Sequence, residues 1–166
     1  MTSIIKVDQI QTAAGATPTI AELGVNITST SMPTGAVLQV VQEVGSTGRQ
    51  VYSSTSYFNL ITASITPKFS TSKILVSVHT SITRQSSAYV RSKITRGSSD
   101  IYIVDTQTAY LAGNSAELSV GSISGDILDS PNTTNSTTYA LQIHMVSSGN
   151  ILVDGQPVIT LMEIAG

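Results

Sequence analysis

The sequence predicts an all-β fold, an antiparallel jelly roll or β-sandwich over residues 35–166, preceded by a short N-terminal extension over residues 1–34. Apolar residues make up 40% of the chain and charged residues only 11%, and Ser and Thr occupy many positions where Lys and Glu usually stand, a balance typical of β-rich proteins. From about residue 36 onward apolar and polar residues alternate with period two. No helical segments lie between the alternating ones, which favours antiparallel sheets over a βαβ fold.

Nine segments in the domain have strand length and strand periodicity. In the third, Ile74 and Val76 share one face while His79 takes the other; in the seventh, Leu141 opposes His144. This alternation is typical of a sheet with one face on a core and one outside. The nine segments are residues 35–44, 57–65, 73–83, 88–96, 101–105, 117–128, 137–146, 150–154 and 157–164.

Turn residues separate these strands. Gly45 to Gly48, Arg96 to Ser99 and Asp154-Gly155 have the composition of turns. The longest fully polar stretch is SPNTTNSTT at residues 130–138, and we expect it to form an exposed loop.

The first 34 residues differ from the rest. Thr17 to Gly24 fits a one-turn helix, with Pro18 at its first position and Gly24 just past its end, and a polar linker follows. The few apolar residues of the extension cannot form a core of their own, so they either fold onto the domain or pack against something outside the chain; the linker composition favours the second. The candidate attachment residues are Ile4, Ile5, Val7, Ile10, Ile20 and Leu23.

Two stretches carry a resemblance to a known group of proteins. IIKVDQIQTAAG at residues 4–15 and MPTGAVLQVVQ at residues 32–42 resemble N-terminal segments of virion structural proteins from marine bacteriophages, particularly tail-fibre and fibre-like proteins of cyanophages. In that group a leader precedes a short connector and the first strand of an all-β domain. The strand succession ending in TYALQIHMV, NILVD and ITLMEI is similar in outline to the trimeric jelly-roll domains of complement C1q and tumour necrosis factor.

The resemblance implies a homotrimer in a phage particle, with residues 1–34 contacting other virion proteins and the jelly roll as an outward knob. The scarcity of charge agrees with such a trimer, because Ser, Thr and Val can pack at a lateral interface without desolvating ions.

Composition excludes several classes of partner. The formal charge is −2, which leaves no positive excess to neutralise phosphates, so we expect no nucleic acid. The absence of Cys excludes disulfides and thiolate metal sites. No run of 18 apolar residues occurs, and Lys6 and Asp8 interrupt the N-terminus, so we expect neither membrane insertion nor a signal peptide.

Little in the sequence indicates catalysis, a cofactor or a metal. His79 and His144 are the histidines, and both fall at outward strand positions among serines or glutamine, where a Ser near a His carries no information. The ten carboxylates are scattered, and those near strand ends, such as Asp126 and Asp129, are expected to be solvated. We therefore predict no catalytic, cofactor-binding or metal-binding residues.

The densest charge lies between Arg84 and Arg96, where four of the eight basic residues fall within thirteen positions. Arg91 and Lys93 share strand parity with Tyr89. This strip could contact an anionic host glycan or an acidic virion partner, or it could keep an exposed hairpin face soluble. With Asn132 and Asn135 on the polar loop, these residues form the predicted recognition surface.

The sequence thus favours a non-enzymatic structural protein at the surface of a phage virion, a homotrimeric tail fibre or fibre-like protein. Two alternatives stay open: a decoration or cement protein of a phage head, and a soluble carbohydrate-binding jelly-roll module.

Overall fold

Ten β-strands form two antiparallel sheets in the computed structural model, which describes residues 32–84, 89–108, 119–147 and 149–166. All nine predicted strand segments contain a strand, and the prediction of an all-β sandwich is confirmed. The strands are β1 (Val37–Val44), β2 (Gln50–Tyr52), β3 (Phe58–Ile65), β4 (Lys73–Arg84), β5 (Val90–Arg96), β6 (Ser99–Thr108), β7 (Ser119–Asp129), β8 (Thr137–Met145), β9 (Ile151–Val153) and β10 (Val158–Ile164).

The strand order is that of a jelly roll. In the first sheet β1 pairs with β10, β10 with β4, and β4 with β7; in the second the order is β3, β8, β5, β6. From β2 to β9 the chain crosses between the sheets at every connection except the β5–β6 hairpin, in the manner of two nested Greek keys. Jelly-roll topology accordingly follows from the observed pairing as well as from the sequence pattern.

Two lines of the first sheet are each divided into two shorter strands: β1 and β2 form one line, and β10 and β9 form the other. β10 pairs with β4 up to Val158 opposite His79, and β9 resumes the pairing with Val153 opposite Ile82. The short β2 pairs with β9 in the same way that β1 pairs with β10. Strand periodicity did not predict β2, because its three residues, QVY, form no apolar run, whereas the equally short β9 is the run ILV.

The core lies between the two inner faces. β4 contributes Ile74, Val76, Val78 and Ile82, all essentially buried, as the period-two pattern predicts. From the first sheet β10 adds Ile159 and Leu161, and from the second sheet β8 contributes Tyr139, Leu141, Ile143 and Met145. Full burial of each large aliphatic side chain contributes about 1.5–3 kcal/mol relative to exposure.

Among the described residues, Glu163 is the charged residue whose side chain is fully buried in this interior. Its Oε1 accepts hydrogen bonds from the backbone nitrogens of Lys68 (2.7 Å) and Phe69 (3.4 Å), and its Oε2 accepts one from Gln39 Nε2 (2.6 Å). Gln39 Nε2 also donates to the carbonyl of Thr66 at 2.7 Å. Since a buried polar group is costly unless it is hydrogen-bonded, Glu163 serves to fix the connection between β3 and β4.

The sandwich has two distinct ends. At the near end the chain enters at Gly35, whose nitrogen donates to Ala165 O at 2.8 Å, and the connections β3–β4, β5–β6 and β7–β8 lie there. The connections β2–β3 and β8–β9 lie at the far end, and the β1–β2 connection lies beside the break between β9 and β10. Residues Pro33–Gly166 form one compact unit; the proposed division at residues 34 and 35 stays a prediction.

Candidate functional site

The predicted strip on β5 lies on the outer face of the second sheet. Arg91 and Lys93 point away from the core, opposite His144 and Gln142 of β8. The guanidinium carbon of Arg91 is 5.5 Å from the centroid of the Tyr89 ring, and Arg91 Nη2 donates to the Tyr89 hydroxyl at 3.3 Å. The three predicted residues therefore do lie together, with Arg91 between the other two.

Tyr57 and His144 complete this surface, which we call the cationic face (Tyr57, Tyr89, Arg91, Lys93 and His144). Lys93 Nζ lies 4.1 Å from the centroid of the Tyr57 ring, a distance typical of a cation–π contact. The rings of Tyr57 and His144 are 4.1 Å apart and tilted by 60°. Tyr57 directly precedes β3. The sequence did not place it on this face, because β3 and β5 are brought together by the pairing of both strands with β8, and that pairing is not known from the sequence.

Charge on the cationic face is partly neutralised. Lys93 Nζ forms an ion pair with Asp100 at 2.7 Å, and its side chain is only 14% exposed. His144 Nδ1 donates to the carbonyl of Met145 at 2.9 Å, which leaves Nε2 as the acceptor of the neutral ring. The face is thus an ordered aromatic and cationic surface whose lysine already has a partner.

The predicted residues Asn132 and Asn135 lie elsewhere. Both are exposed on the β7–β8 connection at the near end, and Asn132 has a positive φ of 53°. Arg91 and Lys93 lie farther along β5 toward the far end, since Arg96 is the residue of β5 that pairs with Tyr139 beside the loop. Five residues of extended strand separate Arg91 from Arg96, roughly 16 Å. The predicted recognition surface therefore consists of two separate places.

At the near end Arg96 belongs to a buried polar cluster. Arg96 Nη1 donates to Asp129 Oδ1 and Oδ2 at 2.9 and 2.8 Å, and the hydroxyl of Tyr139 donates to Asp129 Oδ2 at 2.7 Å. Burial raises the pKa of the Tyr139 phenol far above its ordinary value of 10.0, and the hydrogen bond to the negatively charged Asp129 raises it further. The Asp129 side chain is only 12% exposed, so the expectation of a solvated strand end was wrong for this residue and right for Asp126.

A third ion pair lies where the strands of the first sheet are interrupted. Arg49 Nε contacts Asp154 Oδ1, and the pKa of Asp154 is lowered, first by a hydrogen bond from Thr83 and next by the bond from Arg49. These residues link the β1–β2 connection to β4 and to the break between β9 and β10.

The outer face of the first sheet carries apolar residues in register across four strands. Val40 of β1 is opposite Met162 of β10, Met162 is opposite Leu75 of β4, and Leu75 is opposite Leu128 of β7. Val40 is 56% and Leu128 48% exposed. Next to this row Val37 is opposite Ile164. We call these residues the apolar band: Val37, Val40, Leu75, Leu128, Met162 and Ile164.

Polar residues border the band on its far-end side. Gln42, Thr160, Ser77 and Asp126 form the next row across the same four strands. A contiguous apolar patch rimmed by polar residues is typical of a contact surface. The sequence alone did not reveal the band, because each strand contributes only one or two of its residues and the strand pairing that brings them together is not known from the sequence.

The two histidines lie on opposite sides of the molecule. His79 is exposed on β4 of the first sheet, and His144 faces outward from β8 of the second. Among the residues that the structure describes, no three His, Asp or Glu side chains are grouped so that they could hold a metal ion. Within the same residues no helix is long and apolar enough to span a membrane.

The candidate attachment residues Ile4, Ile5, Val7, Ile10, Ile20 and Leu23 lie outside the described residues. Their role stays a prediction.

Comparison with known proteins gave no matching family model and no similar curated protein. Among solved structures, a chain of the infectious bursal disease virus Gx strain is 11% identical with a TM-score of 0.42, covering 76% of this chain and 36% of that one. A chain of the infectious bursal disease virus VP2 subviral particle is 13% identical with a TM-score of 0.38, covering 76% and 36%. A chain of the Gt strain is 13% identical with a TM-score of 0.38, covering 80% and 38%. The chain thus spans little more than a third of these proteins.

Proposed function

We propose that this chain is a non-enzymatic structural protein of a bacteriophage virion, a homotrimeric fibre or fibre-like protein at the particle surface. Residues 1–34 attach it to other virion proteins, and the jelly-roll domain points outward. The observation that carries the assembly part of this proposal is the apolar band.

The band supports self-association because it leaves large apolar side chains in water. Val40 and Leu128 are about half exposed on a regular sheet face with no covering element among the described residues. Burying apolar surface contributes about 25 cal/mol per Å², and a second copy of the same face offers the same chemistry. In a trimer the band of each subunit packs near the axis.

The low charge of the chain supports the same arrangement. Of the row next to the band, Gln42, Thr160 and Ser77 are uncharged, and Asp126 is exposed on the edge strand β7. Interfaces between permanent subunits are depleted of charged residues at their centres. The virion assignment rests on the leader at residues 4–15 and on the strand that follows it.

Light scattering coupled to size-exclusion chromatography tests the assembly. We expect the full chain to have three times the mass of one 17.4 kDa chain. If the domain itself forms the trimer, the chain that lacks residues 1–31 should likewise have three times the mass of one truncated chain. A stable monomer for both forms contradicts the proposal.

Electron microscopy of phage particles labelled with an antibody to the domain tests the location. Label on the tail supports a fibre, whereas label spread over the head indicates a decoration protein. Particles without label contradict a virion role.

A further inference from the structure

A cleft of about 430 Å³ lies at the near end, between the β5–β6 turn and the β7–β8 connection. We call it the loop cleft. Its volume falls in the range of small-molecule sites. The residues that line it are Arg96, Gly97, Pro131, Thr133, Ser136, Thr137 and Thr138.

The walls of the loop cleft are held in place by hydrogen bonds. Gly97 N donates to Thr138 O at 2.9 Å, which ties the two walls together. Within the connection, Asn135 N donates to Thr133 Oγ1 at 3.0 Å and Thr137 Oγ1 donates to Asn135 O at 3.1 Å. Such a site loses little conformational freedom when a ligand binds.

Among the described residues, the lining contains one cation and four hydroxyl groups and no carboxylate. Through Nη1 the Arg96 guanidinium bonds Asp129 and, at 3.3 Å, the carbonyl of Ser130, and it also interacts with the hydroxyl of Tyr139. Its Nε and Nη2 donate to no carboxylate or carbonyl of the described residues, and two neighbouring guanidinium nitrogens match the two oxygens of a carboxylate.

Asp129 does not line the loop cleft, and the hydroxyl of Tyr139 donates a second hydrogen-bond contact to its carboxylate. A ligand in the cleft therefore contacts the guanidinium of Arg96 before it can approach the carboxylate of Asp129. If Arg96 swung away, the nearly buried carboxylate of Asp129 would lose the cation of its ion pair and keep only the hydrogen bond from Tyr139.

We propose that the loop cleft binds a carboxylated saccharide, with the carboxylate on Arg96 and sugar hydroxyls on the Thr and Ser side chains. A sugar ring offers several hydroxyls to a wall made of hydroxyls, which an acidic peptide does not. The exposed Asn132 and Asn135 lie on the same connection, at its rim. This inference depends on neither the trimer nor the virion assignment.

Saturation-transfer NMR and calorimetry on the full chain test the proposal with glucuronic acid, glucose, inorganic phosphate and an acetylated glutamate dipeptide. We expect glucuronic acid to bind at least tenfold more tightly than the other three probes. Equal binding of glucose, preferential binding of phosphate or dipeptide, or no binding at all overturns it. Tighter binding of hyaluronate oligosaccharides than of glucuronic acid assigns the site to a polysaccharide; equal binding assigns it to the single acidic sugar.

Variants place the binding at the loop cleft. Arg96→Gln should weaken glucuronic acid binding at least tenfold, whereas Arg49→Gln, which removes the other Arg–Asp pair, should leave it unchanged. Ser136→Tyr fills the cleft from an exposed position and should abolish binding even if Arg96→Gln destabilises the fold. Retention of full affinity by Ser136→Tyr overturns the proposal.

Discussion

The hydroxyl of Tyr139, on β8 of one sheet, donates a 2.7 Å hydrogen bond to Asp129, at the end of β7 of the other. This bond joins the two sheets at the near end of the sandwich. Arg96 completes the cluster from β5. Because Tyr139 is fully buried, its hydroxyl has no water to replace this partner.

Tyr139→Phe should destabilise the domain by about 1.5–3 kcal/mol, the usual loss for a hydrogen bond to a charged group. The ring keeps its packing, so the loss reports the bond alone. Urea denaturation measures it. Tyr52→Phe is the control, because the Tyr52 hydroxyl makes no hydrogen bond within the described residues and that ring stacks on Phe58; equal effects of the two variants contradict the prediction.

Alkaline pH should weaken the fold through the same tyrosine. Since burial and Asp129 raise the folded-state pKa of Tyr139 above its ordinary value of 10.0, its contribution is fully present below pH 10. Above that pH the unfolded chain releases a proton that the folded chain keeps, so stability falls by about 1.4 kcal/mol per pH unit. Denaturation between pH 9 and about 11 should show this slope in the wild type and not in Tyr139→Phe.

Glu163→Leu should cost roughly 3 kcal/mol or more, because it leaves the backbone nitrogen of Lys68 without its acceptor and the amide of Gln39 with the carbonyl of Thr66 alone. Glu163→Gln keeps one acceptor oxygen and should cost less. Hydrogen exchange of the Lys68 amide should accelerate in both. Glu43→Gln, at an exposed position of β1, is the matched control and should change neither stability nor exchange.

Leu128→Glu should break the trimer without unfolding the subunit. Leu128 is already half exposed, so the monomer tolerates the charge, whereas three like charges near an axis repel one another. We expect the dissociation constant to rise at least tenfold, about 1.4 kcal/mol. Val120→Glu changes a still more exposed residue of the same strand, 74% exposed and outside the apolar band, and light scattering should find its mass unchanged.

The carboxyl group of Asp154 should titrate below the ordinary value of 3.8. Thr83→Val should raise its pKa more than Arg49→Gln does, because the bond from Thr83 is the larger cause. The depressed pKa contributes stability above about pH 4 that is lost as pH falls. Carbon-detected NMR titration gives the pKa, and Thr133→Val, at the other end of the sandwich, should leave it unchanged.

Strand periodicity predicted most of the fold, because burial of one sheet face places apolar residues at every second position of the sequence. Ile74, Val76 and Val78 alternate with polar residues and are buried. β2 was not predicted because its three residues include a polar Gln and form no apolar run, unlike the three apolar residues of β9.

The sites were harder to predict because they depend on pairing between distant strands. Arg91 and Lys93 could be placed on one face from their spacing, but Tyr57 joins them through β8. Asp129 looked like a solvated strand end because its partners, Arg96 and Tyr139, belong to strands of the other sheet. The apolar band likewise assembles from four strands.

The near-end position of Gly35 determines how the domain carries mechanical load. If the leader is held and a pull acts on the far end, the force runs along β1, and its seven register pairs with β10, from Val37 to Val44, are loaded together in shear. A pull between Gly35 and Ala165, which are hydrogen-bonded neighbours, would instead peel the same ladder open one pair at a time. The jelly roll is therefore mechanically strong in one direction of pull and weak in the other.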